Sequence, residues 1–306
     1  MNATAPAAKK NTANSVEPIK FVAPKLRDPR LTLLLILSTY TALGQFVFYF
    51  NIGFEQLLLT ISITGGLDFL INLIKRRRVE IPLSGIITGL SLGLLLESYN
   101  NIVFVVAGVW SIASKHLIKF KGVQVFNPSN FGIVMALLLM HGTVTVAPGS
   151  QWGSEIVYSL VVLSFGLIMS WRVNRLPLVL GWAGGFVLMG LVRMSLGQGG
   201  LVFVLGPMTG AEFMLFTISM VPDPKASPAN KVTQVVWGLS IALIDGVMRF
   251  NEMRFSMFYA LAILCAIRPW FESAVERVFN LTEAQPAFAG MNSREPAAVL
   301  KDKAAV

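Results

Sequence analysis

The chain has 306 residues, of which 54% are hydrophobic and only 13% are charged, and its formal net charge is +9. Soluble domains carry about 25% charged residues, so this composition excludes an ordinary soluble protein and predicts an all-α polytopic membrane protein. The basic residues fall in short loops between apolar runs, as the positive-inside rule describes, and this placement argues against nucleic acid as a partner.

Both ends of the chain are polar. Residues 1–30 are rich in Ala, Lys, Asn and Pro, and the chain after about residue 281 has a similar composition. Such segments bury too little apolar surface to fold, so we predict disordered tails. No small-residue cleavage site follows the first apolar run, and we expect no signal peptide. The predicted regions are an N-terminal tail (1–30), a transmembrane domain (31–271) and a C-terminal tail (272–306).

The transmembrane domain contains about ten apolar segments, counted with about 20 residues per membrane-spanning helix. They are 31–50, 53–73, 82–96, 102–117, 128–140, 156–170, 176–194, 202–220, 232–248 and 255–267. The third and fifth segments are short for a full span. We predict that these two are half-helices or that they continue into their polar flanks.

Positive charge alternates along the domain. It precedes the first segment and follows each even-numbered one, at Lys20, Lys25, Arg27, Arg30, Lys75, Arg76, Arg77, Arg78, Lys115, Lys119, Lys121, Arg172, Arg175, Lys225, Lys231 and Arg268. This alternation predicts an even number of spans with both termini in the cytoplasm. Arg249 and Arg254 are exceptions, partly offset by Glu252.

A Thr-Gly pair recurs in two segments that five helices separate. Thr88 and Gly89 lie in the third segment, and Thr209 and Gly210 open the eighth. Segments five helices apart run in opposite directions, which is typical of an inverted repeat with a binding site at its interface. The alternative is that the glycines only permit close helix packing.

Two polar motifs interrupt the apolar chain at 126–130 and 221–231. Polar, helix-breaking backbone at membrane depth is tolerated only where it is buried in protein or lines a cavity. The side chains of Asn127, Ser129 or Asn130, and of Ser227 or Asn230, can cap the helices that follow, with Pro128 in a first turn. For Asp223 and Lys225 the alternatives are an ion pair and a solvated loop, and the local chemistry favours the loop.

The segment around Pro207 and Gly210 opens the eighth apolar run. Exposed amides at a helix start favour an anion such as phosphate. The alternative is an ordinary helix start in which Glu212 complements the helix dipole, and Glu212 itself opposes an anionic ligand.

Several charged or reactive side chains fall in or near apolar runs. Asp245 and Arg249 are four residues apart on one helix, where we favour a structural pair over a proton or cation relay. Asp68 and Arg193 are further charges of this kind. The single cysteine, Cys265, is expected to pack as a small hydrophobe. We expect no carboxylate or thiol near His116 or His141, and therefore no His-based metal site.

Three stretches of the sequence resemble the RnfD/NqrB family, the membrane subunits of the Rnf complex and of the sodium-pumping NADH:quinone oxidoreductase. One runs from Ser114-Lys115-His116-Leu117 to Asn127-Pro128-Ser129-Asn130, and another from Thr209-Gly210-Ala211-Glu212 through Asp223-Pro224-Lys225 to Asn230-Lys231. The third is Ser84-Gly85 through Thr88-Gly89-Leu90. Their order and spacing agree from about residue 82 to 271.

The resemblance implies a fold and a function. The fold would be ten transmembrane helices in two inverted five-helix halves, similar to the urea transporter. The function would be flavin binding and electron transfer coupled to Na⁺ or H⁺ movement, in the bacterial inner membrane and together with other membrane and soluble subunits. By position, the cofactor-binding residues would be Thr209, Gly210, Ala211, Thr88 and Gly89. The cytoplasmic mouth would be formed by Asn127, Pro128, Asn130, Asp223, Pro224, Pro228 and Asn230.

The chain departs from the family in one loop. Family members carry covalent FMN on a threonine after the fifth helix, in a Ser/Thr-Gly-Ala-Thr-like sequence, whereas loop 141–154 has only Thr143 and Thr145 without that motif. The chain is similar in this to the branch associated with enediyne biosynthesis, and FMN or riboflavin is expected to bind non-covalently. No catalytic residue is assigned. The alternatives are a redox-free channel or transporter and a membrane scaffold for a biosynthetic complex.

Overall fold

The computed structural model describes residues 20–22, 24, 28–47, 53–146 and 156–280. Eleven α-helices dominate these ranges: α1 (Pro29–Phe46), α2 (Phe54–Arg76), α3 (Leu83–Leu95), α4 (Asn101–Leu117), α5 (Pro128–Leu139), α6 (Ile156–Arg172), α7 (Leu176–Ser195), α8 (Leu201–Leu205), α9 (Ala211–Leu215), α10 (Lys231–Phe250) and α11 (Ser256–Val278). The prediction of a mainly helical protein is confirmed. Most of the predicted N-terminal tail, and the chain after residue 280, lie outside the described residues.

Three short strand pairs join the loops, and the sequence analysis did not predict them. β1 (Lys20–Val22) pairs in parallel with β2 (Arg78–Glu80). β3 (Leu96–Glu97) pairs antiparallel with β6 (Thr145–Val146), and β4 (Lys119–Phe120) pairs antiparallel with β5 (Val123–Gln124). Two-residue and three-residue strands carry too little periodicity to be recognised in a sequence.

Four helices are long and apolar enough to cross a membrane, namely α2, α7, α10 and α11. A fifth span results if the bent pair of helical segments between Leu201 and Met220 is counted as one. The third and fifth predicted segments form helices of only 13 and 12 residues, α3 and α5, so the prediction that they are short is confirmed. The helices therefore support a membrane protein with four or five clear spans.

The eighth predicted segment is a broken helix. After α8 the chain forms one 3₁₀ turn (Gly206–Thr209), then α9, then a stretch of π-helix (Phe216–Met220). The two parts meet at an angle of 60°. Pro207 cannot donate a backbone hydrogen bond, and Gly210 has extended backbone at φ −83° and ψ 150°. These two residues account for the break.

Glycines set the closest helix contacts. A Cβ atom at Gly85 of α3 would lie 2.7 Å from the carbonyl oxygen of Thr64, and one at Gly89 would lie 2.6 Å from the Cα atom of Ile61. On α10, a Cβ atom at Gly238 would lie 2.5 Å from the carbonyl oxygen of Leu178. Because these glycines have no side chain, α3 can lie directly on α2, and α10 can lie directly on α7.

An aromatic cluster fixes the broken segment to α7. The ring of Trp182 stacks on Phe213 at 5.5 Å between centroids and meets Phe216 edge-on at 5.3 Å. Its indole Nε1 donates to Thr217 Oγ1 at 2.8 Å. Because Trp182 is fully buried, this hydrogen bond satisfies the one polar atom of its side chain.

Candidate functional site

The two polar motifs meet in space. The side-chain amides of Gln124 and Asn127 both donate to Asp223 Oδ2, at 3.2 Å and 3.1 Å. Asn127 and Asp223 are 96 residues apart in the chain. We call Gln124, Asn127 and Asp223 the motif junction. It brings together Asn127 and Asp223, two of the residues that the family resemblance assigns to the cytoplasmic mouth, with Gln124, which was not predicted.

Asparagine caps begin both helices next to the junction. Asn127 Oδ1 accepts a hydrogen bond from the backbone N–H of Asn130 at 3.0 Å, and Pro128 is the first residue of α5. Asn230 Oδ1 accepts from the N–H of Val232 at 2.9 Å. The predicted capping roles of Asn127 and Asn230 are confirmed. In contrast, Ser227 does not cap α10.

The solvated-loop prediction is wrong for Asp223, which accepts from Gln124 and Asn127, whereas the Lys225 side chain is exposed as predicted. Asp223 Oδ1 accepts from the backbone N–H of Lys225 at 3.0 Å, while the Lys225 side chain is exposed. Gln234 Nε2 donates to the carbonyl oxygens of Pro228 and Ala229 at 3.3 Å and 3.1 Å. A side chain of α10 therefore binds two carbonyl oxygens of this segment.

Arg175 contacts the second motif, and only 1% of it is exposed. Its Nε donates to Ser227 Oγ at 2.9 Å, and its Nη2 donates to the Pro224 carbonyl oxygen at 3.3 Å. Burial lowers the pKa of Arg175 to about 10, so the guanidinium is still charged at neutral pH. The sequence did not reveal this role, because the positive-inside rule already explains an arginine in a loop.

Thr88 and Gly89 lie on α3, and Thr209 and Gly210 directly precede α9, which packs against α3. Thr88 Oγ1 donates to the Ser84 carbonyl oxygen at 2.9 Å, and Gly89 faces α2. Thr209 is exposed, and its Oγ1 donates to the Gly206 carbonyl oxygen at 2.8 Å. Gly210 forms the extended link to α9, which begins at Ala211. The cofactor role of these residues stays a prediction.

A buried ionic cluster connects α2 and α4. Lys115 Nζ lies 2.7 Å from Asp68 Oδ1, and His116 Nε2 lies 2.8 Å from the same oxygen. Asp68 is only 1% exposed. The expectation that His116 has no carboxylate nearby is wrong, because Asp68 is distant in sequence but adjacent in the fold.

The predicted pair on α10 is confirmed. Arg249 Nε lies 2.8 Å from Asp245 Oδ2, and Ser256 Oγ donates to Asp245 Oδ1 at 2.6 Å. Arg193 Nε instead donates to Gln198 Oε1 at 2.9 Å. Cys265 is fully buried, as expected of a small hydrophobe. Within the described ranges, no group of three or more His, Cys, Asp or Glu residues is arranged to hold a metal ion.

Removing the carboxylate of the junction should destabilise the protein. Asp223→Ala leaves the amides of Gln124 and Asn127 without their acceptor, and we expect a loss of about 2 kcal/mol in the free energy of unfolding. The measurement is denaturant unfolding in detergent micelles. Lys225→Ala, a change of an exposed neighbouring side chain, should stay within about 0.5 kcal/mol of wild type. Equal losses in the free energy of unfolding for the two substitutions would contradict a stabilising role of the motif junction.

No protein-family model matches the chain, and no curated protein matches it either.

Proposed function

We propose that the protein is an integral membrane subunit of an RnfD/NqrB-like electron-transport system, which binds flavin non-covalently and couples electron transfer to Na⁺ or H⁺ movement. The observation that carries the proposal is the hydrogen bond between Asn127 and Asp223. It joins two of the three segments on which the family resemblance rests, although they are far apart in the sequence. A chance likeness of two short motifs gives no reason for them to meet.

We further propose that the chain forms ten spans in two inverted five-span halves of urea-transporter type. Matching helix pairs support this arrangement. In the first half α1 packs on α3, α2 on α4, and α4 on α5. At the corresponding places in the second half α6 packs on α9, α7 on α10, and α10 on α11. An inverted repeat places a discontinuous helix next to the binding site, and here that helix is the broken segment.

The turn before α9 is the proposed flavin contact. A Cβ atom at Gly206 would meet nothing within 4 Å, and one at Gly210 would meet only the Pro207 carbonyl oxygen, at 3.3 Å. Described residues therefore leave room at the Cβ positions of Gly206 and Gly210, on either side of this turn. The Thr209 hydroxyl and the backbone of Gly210 and Ala211 would hold the cofactor, with Thr88 on the facing helix α3. When bound, the flavin supplies the electron-transfer chemistry, and the protein supplies its position.

The first test is the absorbance spectrum of the detergent-purified protein before and after acid precipitation. A flavin band that acid releases into the supernatant is the expected result. A band that stays in the pellet would mean covalent attachment and would contradict the reading of loop 141–154. If no band is present, the electron-transport proposal loses its basis.

Two substitutions test the placement of the flavin. Thr209→Ala removes one hydroxyl and should lower flavin affinity about fivefold, the equivalent of one hydrogen bond of about 1 kcal/mol. Gly210→Leu fills the open side of the turn and should lower occupancy further. Thr39→Ala is the matched control, because Thr39 is also exposed and bonded to its own helix backbone. Unchanged flavin occupancy in both variants would contradict this placement of the flavin.

The second candidate is a channel or transporter without a redox cofactor on the same bundle. It is favoured by the broken helix, since a discontinuous span with polar backbone serves solute or ion passage equally well. Solute or ion flux in liposomes that contain only this chain, together with no flavin band, would support this candidate. Absence of both, with soluble partners co-purifying, would support a membrane scaffold.

A further inference from the structure

Glu212 lies at the break of the discontinuous helix. It is the second residue of α9 and follows the extended link at Gly210. Its side chain is only partly accessible. Among the residues that the structure describes, its carboxylate makes no ion pair within 4.0 Å and no hydrogen bond. A carboxylate in such a position has no group to compensate its charge.

The other two buried carboxylates of the bundle are compensated. Asp68 has Lys115 and His116, and Asp245 has Arg249 and Ser256. Within the described part of the chain, Glu212 differs in this from Asp68 and Asp245, and it differs from Glu55 of α2 in being only partly accessible rather than exposed.

The charges that act on Glu212 come from α10 and oppose each other. Arg249 attracts an anion, Asp245 repels one, and Arg249 is already bonded to Asp245. The elements packed directly against α9 are α3, α6, the 3₁₀ turn and the π-helix. Their sequences contain no charged residue except Arg172 at the far end of α6. Among the described residues, no cation therefore pairs with Glu212 alone.

We propose that Glu212 is a proton-binding site, whose carboxyl group takes up one H⁺ and releases it again as the protein works. An unpaired carboxylate in a low-dielectric region is costly, and one bound proton removes its charge. Na⁺ would need several oxygen ligands to replace its hydration shell, and both oxygens of Asp245 are already bonded. The proton needs only Glu212 itself.

This inference deepens the proposed function, because it names the coupled ion as H⁺ and the residue that carries it. The role in turnover rests on that function, whereas proton binding at Glu212 does not. The extended backbone at Gly210 and the 60° bend place the carboxyl where the helix is interrupted. Such interruptions are where transporters bind their coupling ions.

The test is labelling with dicyclohexylcarbodiimide, which reacts with protonated carboxyl groups in apolar surroundings. The full chain in detergent is labelled over a range of pH, and the modified residue is found by peptide mass mapping. We expect the label on Glu212 and none on Asp68 or Asp245, whose oxygens are bonded to Lys115 and Arg249. Above the titration range of Glu212, labelling should fall about tenfold per pH unit.

Substitutions sharpen the test. Glu212→Gln should abolish the label, whereas Glu55→Gln, which changes an exposed carboxylate in the first turn of α2, should leave it unchanged. If Glu212→Gln does not fold, the pH dependence of labelling in the wild-type chain still decides the question.

Three results would overturn the proposal. The first is that Glu212 is not labelled at any pH in folded protein. The second is that Asp68 and Asp245 are labelled as strongly as Glu212. The third is that NaCl, but not KCl, protects Glu212 from labelling, which would assign the site to Na⁺. A missing flavin band together with a labelled Glu212 would defeat electron transport and leave the proton site standing. The two proposals can therefore fail separately.

Discussion

Replacing Asp68 with asparagine is expected to lower the free energy of unfolding by about 3–5 kcal/mol. The substitution keeps the shape of the side chain but leaves the ammonium of Lys115 without its counter-charge, and only 12% of that side chain is exposed. Breaking a buried pair by removing one partner is costly because the other charge stays buried. The measurement is the midpoint of denaturant unfolding in detergent micelles.

A double variant separates the ion pair from other effects of the change. Asp68→Asn combined with Lys115→Met removes both charges and should recover most of the lost stability, since a pair replaced by residues of similar volume is often neutral. If the double variant is as unstable as Asp68→Asn alone, then Asp68 acts mainly through His116 or through packing. If Asp68→Asn itself leaves the midpoint unchanged, the cluster contributes nothing to stability.

Gly238→Ala is expected to destabilise the protein by about 3 kcal/mol, at the upper end of what overpacking costs. The added Cβ atom would lie 2.5 Å from both the Leu178 carbonyl oxygen and the Trp182 backbone nitrogen. These atoms belong to the backbone of α7 and cannot rotate away, so α7 and α10 would have to separate. Denaturant unfolding and the yield of monodisperse protein would report the effect.

Gly184→Ala on α7 is the matched control. A Cβ atom there would meet nothing within 4 Å, and alanine favours helix over glycine by about 1 kcal/mol. We therefore expect unchanged or slightly increased stability. Effects of the same sign and size for the Gly184 and Gly238 substitutions would show that helix propensity, not interhelix distance, determines the outcome.

The sequence was sufficient to place the helices, for local reasons. The sequence itself contains apolar runs that are nearly long enough to span a membrane, together with the residues that end them. Each predicted segment contains a helix or, at 202–220, a broken helix. The caps at Asn127 and Asn230 depend on neighbours two or three residues away. The i, i+4 pair of Asp245 and Arg249 is equally local.

The long-range partners could not be read from the sequence. Lys115 is 47 residues from Asp68, and Arg175 is 52 residues from Ser227. These contacts depend on the packing of α2 on α4 and on the packing of the 174–177 turn on the second motif. No local sequence pattern encodes this packing. For the same reason Asp223 looked like part of a solvated loop, although amides from a segment before α5 bind it.

Asn130 of α5 donates its amide to the carbonyl oxygen of Phe258 in α11, a residue 128 positions later, at 3.1 Å. During synthesis, α5 is therefore made long before the partner of this buried amide exists. Until α11 inserts, the first group of helices holds an unsatisfied polar group that lipid cannot bind. A chain that ends before α11 therefore lacks the acceptor of this amide, and the contact between α5 and α11 forms only once the last helix is present.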